Sequence, residues 1–247
     1  MADALATRGS TALARPSFIK EGDVRGTENI TTNDIKFPAL RLAQAMSPEV
    51  KRADPAYLAG LREGELFNSI TRQVYGEEPV HLVIVNQLGH RNVEFDPDDR
   101  NVVLAGDIPD DDPRCDFTFQ TIDGVQKRIK PRATRFYDYL VLLIREGVDP
   151  ELMTLSLKST QLKKAKVLNS QLKLSKLPTF AHLFKATPVP EHKGANSWYG
   201  WRFDAVGYVS EELYNLASKD YDKMQGKSVV VEADVAEVKD DDDSIPF

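Results

Sequence analysis

A series of short β-branched segments, each closed by a turn, most constrains the fold. Residues 79–87 read PVHLVIVNQ. So dense a run of β-branched side chains suits a pleated surface and reads as a buried strand. Residues 116–122 and 125–129 flank Asp123-Gly124, a dipeptide that accepts the positive φ of a two-residue hairpin turn. Residues 134–145 read as a further strand, and 152–158 as another after a Val148-Asp149-Pro150 turn. Upstream, 64–70 and 73–75 flank Thr71-Arg72 as a second hairpin. Short strands are expected at 38–42, 92–95, 198–203 and 227–233, and a helical turn at 54–61. Residues 96–113 concentrate Pro and Asp and read as a loop or an inserted excursion.

Two helices interrupt this pattern. In 159–175, Ser159 or Thr160 is the expected cap, and Leu162, Ala165, Leu168 and Leu172 share one face on a helical wheel. In 210–224, Ser210 precedes Glu211 and Glu212, which is an N-terminal signature. The expected fold is therefore a β-rich α+β domain: an OB-like five-stranded barrel with inserted helices and disordered N- and C-terminal tails. The expected divisions are a flexible arm at 1–30, the domain at 31–233 and an acidic tail at 234–247.

Charge distribution decides between partners. A net charge of −6 opposes nucleic acid as a total, yet residues 127–176 hold twelve Lys and Arg against four acids, and 158–190 hold seven lysines and no acid. A protein that holds phosphates needs a basic surface rather than a basic total. Sequence-independent binding of single strands also needs aromatic faces for the bases. Lys127, Arg128, Lys130, Arg132 and Arg135 run into Tyr137 and Tyr139, with Lys158, Lys163, Lys164, Lys166 and Lys173 following. Trp198, Tyr199, Trp201 and Arg202 form a second aromatic and basic segment. These are the candidate DNA-binding residues. Strand alternation sends about half of these aromatics inward, and the Arg202 side of 198–203 is expected to be the wet one. The lysine helix also admits the plainer reading of a solvated face.

The last residues are unusual. Asp240, Asp241, Asp242 and Asp243 are followed by Ser244, Ile245, Pro246 and Phe247. An acidic stretch of this kind cannot bury enough apolar surface to fold alone. An aromatic beyond it, stiffened by proline, suits an apolar pocket with a cation beside the α-carboxylate. DDDDSIPF resembles the C-terminal tip of bacterial single-stranded-DNA-binding proteins, with Ser244 a departure, over about eight residues. The body is longer than in that family, and residues 35–233 lack the Gly/Pro/Gln-rich linker that usually precedes the tip. Its layout is similar to phage DNA-binding proteins of the T7 type. The resemblance implies coating, protection and annealing of single-stranded DNA in replication, recombination and repair. It also implies recruitment of replication or repair proteins (polymerase, primase-helicase, nuclease) by Asp240–243 and Ile245, Pro246 and Phe247. Opposite charge in one chain further suggests that the tail lies on the basic surface until DNA displaces it. A homodimer, by strand addition or tail exchange, stays open.

Other classes are less well served. No phosphate-binding, dinucleotide-binding or HExxH pattern occurs. Cys115 sits among acids, which raise a thiol pKa. The 96–116 aspartates lack the spacing of a calcium loop. No enzyme activity, metal or cofactor is expected. No apolar run approaches the roughly 18 residues of a membrane span, and a single cysteine fits a reducing bacterial cytoplasm. Two rivals remain: a single-strand-annealing recombinase, and an adaptor that presents the tail without DNA affinity.

Overall fold

Residues 79–87 are apolar without alternation because the strand they form is covered on both faces. In the computed structural model, which describes residues 26–29, 36–98, 102–122, 124–226 and 231, this strand is β4 (Val80–Phe95). Leu82 and Ile84 enter one buried cluster, Val83 and Val85 the other. Strand β8 (Ala133–Arg145) repeats the pattern, with Tyr139, Val141 and Leu143 on the first side and Leu140 and Leu142 on the second. Two-sided burial is what a run without period 2 signifies.

The main sheet is antiparallel, in the order β11 (Asn196–Tyr208), β10 (His182–Lys193), β4, β8, β9 (Val148–Lys158), with β5 (Val103–Ala105) paired to the far end of β4. Helix α1 (Leu162–Leu174) covers the first face through Ala165, Leu168 and Leu172. A small sheet of β1 (Leu40–Leu42), β2 (Leu66–Asn68) and β3 (Val74–Gly76) contributes Leu40, Leu42 and Leu66 to that cluster. Helix α2 (Glu211–Met224) covers the second face with Ala217 and Met224, beside Phe180. The Ser210 hydroxyl accepts from the Leu213 amide, so this helix starts on the expected cap. A separate hairpin, β6 (Thr118–Ile122) with β7 (Val125–Ile129), turns at the expected place.

The fold is β-rich α+β, and its barrel expectation needs correction. The described pairings run in a line from β11 to β9, and no pairing joins those two strands into a ring. Among the described residues, the one strand pairing of β9 beyond β8 is an isolated bridge between Ala39 and Thr154. Helix α1 is entered through a 3-10 turn, Ser159–Gln161, and Gln161 at its N-cap makes no capping side-chain bond, so neither Ser159 nor Thr160 caps it. Residues 54–61 form turns rather than a helix. The chain divides into two units, Met1–Lys36 and Phe37–Phe247. The 1–30 arm (save 26–29), the 227–233 strand (save Val231) and the tail with Asp240, Asp241, Asp242, Asp243, Ile245, Pro246 and Phe247 lie outside the described residues.

Candidate nucleic-acid interface

The two segments singled out for DNA meet in one place. Strand β11 lies beneath one flank of α1, and a groove of about 360 Å³ opens between them, with Val189 of β10 on its wall. Its floor is Trp201 and Phe203, stacked with centroids 5.9 Å apart and planes 16° from parallel. Val167, Leu168 and Gln171 form the helical wall, and Lys163, Lys164 and Arg202 stand at the rim. Val167 is 59% exposed, so that part of the groove wall is open to solvent.

Helical geometry sorts the lysines. At about 100° per residue, Lys163, Lys164, Val167 and Gln171 share the flank that looks onto β11. Lys166 and Lys173, both exposed, lie about 60–80° round the helix from Lys163, outside the groove lining. The helix therefore bears Lys163, Lys166 and Lys173 on one exposed arc, with Lys164 on its groove side. It contains no acid, and Lys163, Lys166 and Lys173 have no acidic partner among the described residues. Lys164 differs. It is partly buried, its ammonium contacts Glu191, and burial pushes its pKa below the usual lysine value. Glu191 also accepts from Trp198 Nε1 at 2.8 Å, which ties the half-buried Trp198 to the same corner. Arg202 is exposed as expected and donates to Asp204 at 3.0 Å.

Three candidates are buried in the core. Tyr139 is fully buried, and its hydroxyl donates to Asn169 Oδ1 at 2.8 Å, joining the sheet to α1. Burial drives its pKa well above the usual phenol range. Trp201 is 4% exposed because its neighbours on the same side of the strand pack under the helix. Lys158 is buried with its ammonium 5.4 Å from the Phe136 ring centre. Tyr137 and Tyr199 are half-buried against the same cluster. The Tyr199 ring lies so close to Gly64 that a Cβ there would come within 2.5 Å of it.

The basic strand is largely compensated. Arg135 donates to Asp110 at 2.6 Å and to Asn92 at 3.0 Å, and Arg132 pairs with Glu94 at 3.1 Å. Arg114 binds Glu94 and Asp112 together. The acidic excursion is thus a clasp over the end of β4 and β8. Hydrogen bonds from the Arg114 side chain and backbone amide hold the Asp112 carboxyl at about 2, below its ordinary 3.8. Burial and the neighbouring aspartates raise the Cys115 thiol. Lys127 and Lys130 are exposed on and beside β7, while Arg128 lies 3.6 Å from the centre of the Phe117 ring.

A family model described as Pam3 phage gp34-like protein matches residues 8–230. The chain belongs to the Pam3 phage gp34-like family. It is accordingly a phage protein. No curated protein and no solved structure matches it.

The match to the gp34-like family takes in both faces of the sheet, α1 and the groove, and ends before the acidic segment at 234–243. Among the described residues of this gp34-like chain, no three His, Cys, Asp or Glu stand together as a metal-ion ligand set. No described helix is long and apolar enough to cross a membrane. Val167 and Gln171 were not among the sequence candidates. Phe203 shares strand parity with buried Trp201, so alternation sends it inward. The detectable signal was Val167, an apolar residue off the Leu168–Leu172 face of its helix.

Proposed function

We propose that this phage protein binds and protects single-stranded DNA without sequence preference, and that the α1–β11 groove is its main contact. The observation that carries the reading is an acid-free helix with exposed Lys163, Lys166 and Lys173 laid beside a groove floored by Trp201 and Phe203. Lysines neutralise phosphates and release their counterions. Phe203, half-buried at the groove floor, offers a ring to a base, and such stacking is worth about 1–3 kcal/mol. The reading needs no closed barrel, only a curved sheet with a helix across it.

Asp240–243 with Ile245, Pro246 and Phe247 then recruits replication or repair proteins. In this reading DNA binding and recruitment reside on separate parts of the chain, and there is no catalytic step.

Titration with oligo-dT at two salt concentrations, read by the intrinsic fluorescence of Trp198 and Trp201, tests the reading. The expected result is quenching that saturates and weakens steeply as salt rises. No quenching and no binding would leave the tail-presenting adaptor. Binding that occurs only when two complementary strands are supplied, in large rings, would favour the annealing recombinase.

A further inference from the structure

The hairpin β6–β7 pairs with no other strand among the described residues. Both of its strands are open to solvent, with all five residues of β6 exposed. Phe119 is 62% exposed and Phe117 44%. Two-stranded ribbons with no packed face are marginal in water, and large exposed rings add to that cost. Such a hairpin is better explained by a ligand than by the fold it projects from.

The register says which ligand. Phe119 stands opposite Arg128, so their side chains share one face of the ribbon. Arg128 also reaches diagonally over the Phe117 ring. This face therefore interleaves two aromatic rings with a guanidinium. Lys127 follows on the opposite face of the same strand, and exposed Lys130 continues the chain at its base. Within 117–130 the one acid is Asp123. Alternating rings and cations without acids match a chain of stacked bases and phosphates. A protein partner of ordinary composition would call for a larger apolar area and fewer cations of one sign.

We infer that the β6–β7 hairpin is a second single-stranded-DNA contact, separate from the α1 groove, with Phe119 stacking on a base and Arg128 holding Phe117 and an adjacent phosphate. This rests on the DNA-binding reading above and extends it to a longer site.

Photocrosslinking the full chain to an oligo-dT that carries 5-iododeoxyuridine, with peptide mapping, tests it. The crosslink is expected at Phe119. Phe119→Ser should weaken oligo-dT binding about tenfold. Phe119→Trp should retain it, with both variants keeping the wild-type circular dichroism. Lys163→Glu, in the groove, should weaken binding while leaving the crosslink at Phe119 in place. A wild-type chain that binds oligo-dT, crosslinks only elsewhere and tolerates Phe119→Ser overturns the hairpin contact alone. A wild-type chain with no oligo-dT affinity overturns both readings. Loss of self-association in Phe119→Ser with unchanged DNA affinity would make the hairpin an interface between copies instead.

Discussion

Gln44 and Gln161 do at single positions what a neighbouring strand would do along β11. Gln44 donates to the Tyr199 carbonyl and accepts from the Tyr199 amide, each at 2.9 Å. Gln161 accepts from the Trp201 amide at 2.9 Å. Both glutamines are buried, and both keep backbone groups of β11 satisfied where an unpaired strand edge would invite another chain. Neither is legible in sequence, because the amide works only once 155 or 40 residues of intervening chain have folded. Asp112 is a second local device. Its carboxyl pKa is depressed, so the folded clasp is fully favoured above the ordinary 3.8 and is lost as pH falls toward about 2. A carboxyl-carbon NMR titration should place the Asp112 midpoint near 2. A midpoint at 3.8 would mean that Arg114 does not hold it in solution.

The elements divide by whether their signal is local. The hairpins at 71–72 and 123–124, strands β4 and β8, and the Ser210-capped α2 were legible because turn chemistry, β-branching and capping act within a few residues. Strand β10 was not, since it carries Pro188 and Pro190, which demote a run to an edge or to no strand. Its pairing explains the tolerance. β4 pairs with β10 only from Leu183 to Ala186, so both prolines lie beyond the stretch that needs amides on that side. Ala186→Pro should therefore unfold the chain or lower its melting temperature sharply, because Ala186 pairs with Val80 on one side and Phe203 on the other. Pro190→Ala should change it little. Thermal melts of the two variants check this, and equal melting temperatures would contradict the register. The candidate site was half legible. The lysines and aromatics were found, but which ring stays open depends on where α1 crosses the sheet, and alternation within β11 cannot report that.

At the scale of the molecule the charges fall into two regimes. The basic strand that ends in Arg132 and Arg135 meets its own acidic loop, which stabilises the end of the sheet rather than offering phosphates a surface. Among the described residues, the cations of α1 meet no acid, Lys164 with Glu191 excepted. The tail at 234–243 carries six acids against Lys239, and under the proposed reading opposite charge on one chain would let it compete with DNA for α1. Truncation after Val238 should tighten oligo-dT binding at low salt, in a fluorescence titration beside the full chain. Unchanged or weaker binding would remove that competition from the account. The central claim, that α1 binds the strand through its lysines, is tested most directly by the salt dependence of oligo-dT affinity. The wild-type chain should bind with a steep slope of log affinity against log salt, and the combined Lys163→Ala, Lys166→Ala, Lys173→Ala variant should bind more weakly with a slope shallower by about 2. Equal affinity and slope for both proteins would contradict it.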